Sequence, residues 1–131
     1  MKNKYYTPQI EEFSIGVECQ VYHSKEKVWK DIGIRHGEDL TKIVSTFTTD
    51  NTSVRFKYLD EDDLFKTGFQ FLDSREGKLR FINERDEKIY FGDFYKELRY
   101  IVIENNCGQF YFMGWLKNKN ELQKVLKQVG I

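Results

Sequence analysis

The stretch Leu98-Arg99-Tyr100-Ile101-Val102-Ile103-Glu104-Asn105-Asn106-Cys107-Gly108-Gln109-Phe110-Tyr111-Phe112-Met113-Gly114-Trp115-Leu116 decides the fold. It reads as two strands joined by a hairpin turn over Asn105-Asn106-Cys107-Gly108. In the first strand Leu98, Tyr100 and Val102 line one side and Ile101 and Ile103 the other; in the second, Phe110 and Phe112 oppose Tyr111, Met113 and Trp115. Successive strand residues point to opposite faces, so both faces of this hairpin are apolar. A strand with one wet side alternates apolar and polar residues instead. The expectation is a central hairpin sheltered on both faces.

One shelter lies just downstream. Leu122, Val125, Leu126 and Val129 recur at i, i+3, i+4 and i+7, with Gln123, Lys124, Lys127 and Gln128 outside them, the pattern of an amphipathic helix over residues 120–129. Gly130 suits the position just past its end. The other shelter is either the N-terminal strands folded over as a further layer or the same surface on a second copy. Tyr100, Tyr111, Met113 and Trp115 are the side chains such a contact would use.

Upstream, Phe13, Ile15, Val17, Cys19 and Val21 alternate with Ser14, Gly16, Glu18 and Gln20, which predicts a half-buried strand over residues 13–22. A second strand is expected over 28–34 after a charged turn, a short helix over 38–47 from Leu40, Ile43, Val44 and Phe47, and a third strand from Val54, Phe56 and Tyr58. Asp60, Glu61, Asp62 and Asp63 then suit the first turn of a short helix, where acids accept from free amides and oppose the helix dipole. Between residues 68 and 116, turn signals around Gly77, Glu84, Gly92 and Gly108 separate short apolar runs, the signature of an antiparallel meander. The predicted fold is α+β: a mostly antiparallel sheet of roughly six to eight strands with the C-terminal amphipathic helix packed on it.

The 131 residues carry no internal repeat or linker, which points to one domain over residues 1–131. Aromatics make up 16% of the chain against a single proline, Pro8, a composition opposed to disorder. Twenty-one basic residues balance twenty-one acidic ones, so the chain lacks the net field that steers general nucleic-acid binders. No apolar run has the length of a signal peptide or a membrane span. With only Cys19 and Cys107, a reduced cytosolic chain is expected rather than a disulfide scaffold, and the sequon at Asn51 then carries no weight.

Few residues suggest chemistry. Cys19 and His23 share a strand face, but four extended residues separate them by roughly 13 Å, too far for a common zinc. Cys107 sits in a predicted turn without a base beside it. His36, between Arg35 and the pair Glu38 and Asp39, has the best setting for acid-base work, although a solvated loop histidine is the favoured reading. The acids at 60–63 lack the glycine and closing glutamate of a calcium loop. No glycine-rich phosphate loop is present. Lys117, Lys119, Lys124 and Lys127 form a basic helix face that would suit phosphate, with Tyr111 and Trp115 as stacking partners, or simply a solvated surface. No metal or cofactor is implied.

Three segments carry a likeness: Tyr6-Thr7-Pro8-x-Ile10-Glu11-Glu12-Phe13-x-Ile15-Gly16-x-Glu18, then Val54-Arg55-x-Lys57-Tyr58-Leu59-Asp60-Glu61-Asp62-Asp63, then Lys117-Asn118-Lys119-Asn120-Glu121-Leu122 continuing through Leu126-Lys127-Gln128-x-Gly130-Ile131. In these the chain resembles a family of small bacteriophage-type proteins without a known activity. That family often has histidine at the position of Ser14 and an aromatic at that of Cys19; the departures here argue against a ligand or catalytic role at either. The resemblance implies an accessory protein acting in the bacterial cytoplasm or within a phage particle.

Two functions follow as expectations. The first is a non-enzymatic module that binds a protein partner or itself, as a homodimer, through the aromatic surface of the 98–116 hairpin. The alternative is a small-ligand or nucleic-acid binding protein, or an enzyme acting on nucleotides, using His36, the acids at 60–63 and the last-helix lysines.

Overall fold

Turn residues that tolerate a positive φ fix which apolar runs become paired strands. The computed structural model describes residues 4–95 and 98–131. The chain divides into two compact units, Met1–Tyr58 and Leu59–Ile131.

In the first unit β1 (Tyr5–Tyr6), β2 (Glu18–His23), β3 (Val28–Gly33) and β4 (Val54–Lys57) form an antiparallel sheet in the order β1-β4-β2-β3. Lys27, at φ 57, supplies the left-handed step that turns β2 into β3. Helix α1 (Gly37–Thr49) covers one face. Its Leu40, Ile43, Val44 and Phe47 pack with Phe13, Val17, Cys19, Ile34, Val54 and Phe56, so the helical spacing read at 38–47 is realised.

The strand expected over 13–22 begins only at Glu18. Residues Ile10–Glu12 make a single 3-10 turn, and Gly16, at φ 98, turns the chain so that its amide reaches the Ile34 carbonyl. That turn breaks the period of two. Phe13 and Val17 both reach the core while Ile15 stays exposed, opposite to its expected side.

The second unit is the meander: β5 (Gln70–Arg75), β6 (Lys78–Ile82), β7 (Lys88–Tyr95), β8 (Leu98–Glu104) and β9 (Phe110–Leu116), each antiparallel to the next. Glu76 and Gly77, both at positive φ, make the two-residue turn whose twist matches a hairpin. The turn read at Gly92 is absent; β7 runs through it with a register shift between Phe91 and Phe94. A Cβ at Gly92 would come 3.2 Å from that of Tyr100, so glycine here lets two strands approach closely.

Helices α2 (Glu61–Lys66) and α3 (Lys119–Gln128) complete this unit. Asp60 and Asp63 cap α2 reciprocally, each backbone amide donating to the other's carboxylate. Asn118 caps α3 by accepting from the Glu121 amide, which starts the helix slightly before the expected residue 120. At its end Gly130, at φ 83, donates to the Lys127 carbonyl and Ile131 to that of Leu126, closing the last turn as a Schellman motif. Leu122 and Leu126 pack on Ile101, Ile103 and Leu116 with Leu59, Leu64, Phe69, Phe81, Ile89 and Phe91.

The fold is therefore α+β and mostly antiparallel sheet, with the C-terminal helix on it. The described residues hold nine strands in two sheets, more than expected because β1 is too short to leave an alternating pattern. No helix among them is long and apolar enough to cross a membrane.

Candidate functional site: an open aromatic sheet face

Register assembles the site. Asp73, Arg80, Tyr90, Val102 and Met113 pair in succession, one rung running across all five strands of the meander. Because period two carries Ile89, Phe91, Ile101 and Ile103 to the helix-covered core, this rung lies on the opposite face. Tyr100 pairs with Trp115 beside it, their rings 5.1 Å apart and tilted by 60°.

The rung grades from polar to apolar. At its β5 end the Arg80 guanidinium grips both oxygens of Asp73, holding that carboxyl below its ordinary range. Tyr90 donates to Glu104 across 3.2 Å. At the β9 end the side chains are apolar and open: Phe110 is 61% exposed, Met113 56%, Trp115 46% and Tyr111 42%. Tyr100 is half-buried and Val102 buried.

This corrects the expectation of a hairpin sheltered on both sides. β8 is interior, but β9 is the last strand of the meander and pairs only with β8 among the described residues. Helix α3 covers the Phe112 and Leu116 side, while Tyr111, Met113 and Trp115 face solvent. The four residues read from the sequence as a contact surface do come together.

The four lysines do not join them. Lys124 and Lys127 are exposed on α3, Lys119 opens that helix and Lys117 precedes it, the last two half-buried. Their helix packs on the face away from Tyr111 and Trp115, so one ligand does not meet both sets. His36 ends its loop as the residue before α1, where its amide and that of Arg35 donate to Asp39 at 3.1 and 3.0 Å. These bonds lower the Asp39 pKa. Asp60 and Asp63 are spent on capping α2. Cys19 lies in the core of the first unit, where burial pushes its thiol up to about 11, and His23 ends β2 with Glu26 3.9 Å away. Cys107 is exposed in its turn, its amide donating to Asn105. Among the described residues no three His, Cys, Asp or Glu side chains gather as a metal site.

Two features escaped the sequence. On the first unit's sheet, the Arg55 guanidinium lies 3.6 Å from the Tyr5 ring centroid and 4.1 Å from that of Trp29, with Nε donating to Gln20. Four strands contribute, so no local pattern announces it. A groove of about 290 Å³ is lined by Phe65, Gly68, Phe69, Gln70, Ile82, Asn83 and Glu84. Comparison with protein-family models, curated proteins and solved structures gives no match.

Proposed function

We propose that the protein is a non-enzymatic interaction module that binds protein through the open face and edge of β9, serving as an accessory protein of the phage type in the bacterial cytoplasm or a phage particle. The observation that carries the binding reading is the run Tyr111, Met113 and Trp115, large apolar side chains exposed together on the last strand of the meander. Each half-exposed aromatic leaves on the order of 100 Å² of surface in water, and burying it stabilises by about 25 cal/mol per Å². Contiguous apolar surface rimmed by polar groups, here Arg80, Asp73 and Glu104, is the usual character of a protein-binding site.

A photo-crosslinking residue placed at Tyr111 or Trp115 in the expressing cell tests this. Protein adducts are expected from both positions and not from Gln123, exposed on α3. Adducts equally strong from Gln123, or none from 111 and 115, would remove the reading.

A second reading, small-ligand binding, has its footing in the groove beside Phe65, whose Gln70, Asn83 and Glu84 offer polar contacts next to aromatic wall. A thermal-shift screen with nucleotides and divalent cations decides it, since ligand at one hundred times its Kd adds about 2.7 kcal/mol to stability. Unchanged melting with every compound dismisses it.

A further inference from the structure

We infer that the outer face of the first unit's sheet carries an anion subsite, in which the Arg55 guanidinium takes a carboxylate or phosphate group of a ligand. The subsite is separate from the β9 surface and from the groove beside Phe65, and depends on neither.

Register builds it from four strands. Directly paired residues share a face, and so do residues two apart on one strand. Gln20 pairs with both Arg55 and Asp31, Tyr22 with Trp29, and Tyr5 with Lys57. These side chains therefore lie on the face opposite to Cys19, Val54 and Phe56, which pack under α1. Along that face Trp29 stands one row to one side of Arg55, and Tyr5 one row to the other.

The guanidinium is fixed between them. Its central carbon is 3.6 Å from the Tyr5 ring centroid and 4.1 Å from that of Trp29. Approaches this close come over the flat faces of the cation, because its edges carry the N–H groups. Nε donates to Gln20 Oε1 at 2.9 Å, and Gln20 Nε2 donates to Asp31 Oδ1 at 2.8 Å. The terminal N–H groups of Arg55 meet no acceptor among the described residues.

Elsewhere in the chain guanidinium groups find carboxylates: Arg80 holds Asp73, and Arg85 lies 3.1 Å from Glu87. Among the described residues no carboxylate lies within ion-pair distance of Arg55. Asp31 shares its row but stands two strands away, roughly 10 Å across the sheet, and accepts from Gln20 instead. Glu18 belongs to the next row, that of Lys57. A half-buried cation with stacked faces and unused donors is short of an oxyanion rather than of packing.

Stacking and the Gln20 bond hold the cation in one orientation, so little side-chain freedom remains to be lost when a ligand binds. A planar fork of N–H groups matches two oxygens of one carboxylate or phosphate. The flanking side chains suit the same charge. The edge of an aromatic ring is its positive part, and the Tyr5 hydroxyl and Trp29 indole N–H are further donors without an acceptor among the described residues.

The test is an NMR titration of the isotope-labelled full chain near neutral pH and at constant ionic strength, with inorganic phosphate, acetate and, as reference, chloride. It follows the Arg55 Nε–H and the indole N–H signals of Trp29 and Trp115. Two charge-assisted hydrogen bonds in water give an affinity on the order of millimolar. The Arg55 and Trp29 signals should therefore shift and saturate at about 1–10 mM anion, while Trp115, in the second unit, stays in place. Saturation at lower phosphate than acetate assigns a phosphate-bearing ligand; the reverse order assigns a carboxylate. Arg55→Lys keeps the charge and loses the fork, so it should weaken the response about tenfold or more, with signal dispersion showing that it is folded. No saturable shift of Trp29 with either anion, an equal shift of Trp115, or an undiminished response in folded Arg55→Lys overturns the subsite. Should that variant unfold, the wild-type titration decides alone.

Discussion

Cys19 and Cys107 carry the same thiol in surroundings that separate their chemistry. Burial at 5% exposure raises the Cys19 pKa to about 11, and the thiolate is the reactive form, so one thiol, Cys107, should titrate with an aromatic disulfide reagent at pH 8 and two after denaturation. Two thiols reacting in the native protein would place Cys19 outside the core. Alternation around Cys19 made its burial legible in the sequence. Carboxylates give a second residue-scale expectation. Asp39, Asp50 and Asp73 are held below their ordinary 3.8, Asp39 by the Arg35 and His36 amides, Asp50 by the Thr52 hydroxyl and amide, and Asp73 by Arg80. A depressed folded pKa contributes stability that is present above the ordinary value and lost as pH falls through the folded one. The urea midpoint should therefore be flat above about pH 5 and decline below about pH 4, less steeply in Asp39→Asn. An unchanged slope in that variant would show that the cap does not couple to folding.

Among elements, α3 shows how far local pattern reaches. Its apolar spacing, its asparagine cap and Gly130 at φ 83 all agree with one another, and helix and packed face were both readable. Leu122 is fully buried, so Leu122→Ala should cost about 2–5 kcal/mol through lost burial and the cavity left. Gly130→Ala should cost about 1 kcal/mol, because an L side chain is strained in the left-handed region. Chemical denaturation measures both; equal losses would mean that the helix end matters as much as its packing. The segment before β2 shows the opposite case. Phe13, Ile15 and Val17 alternate as a strand would, yet the turn at Gly16 rephases them, and a single glycine in an alternating run gives no sign of which way the chain will bend. β9 lies between these cases. Its strand character was legible, but its place at the edge was not, since apolar residues on both faces fit an interior strand and a protein-binding edge equally well.

For the whole molecule, association and stability are linked. If the open face of β9 binds a second copy, the melting temperature of the wild type should rise with protein concentration, as mass action requires when only the folded chain binds, and that of Met113→Lys should not. A concentration-independent wild type would separate the open face from self-association. Tyr100, Tyr111, Met113 and Trp115 lie on one face as their spacing in the sequence suggests, but the last three are exposed rather than sheltered. The linear order of apolar residues, turn formers and caps determined the elements, the antiparallel class and the helix on the sheet, because these depend on contacts a few residues apart. Which strand ended the sheet, which face stayed open, and that Arg55 meets Tyr5 and Trp29 from separate strands were decided only in tertiary structure. Those outcomes depend on pairings between distant segments, and an apolar residue carries no mark of which surface will finally cover it.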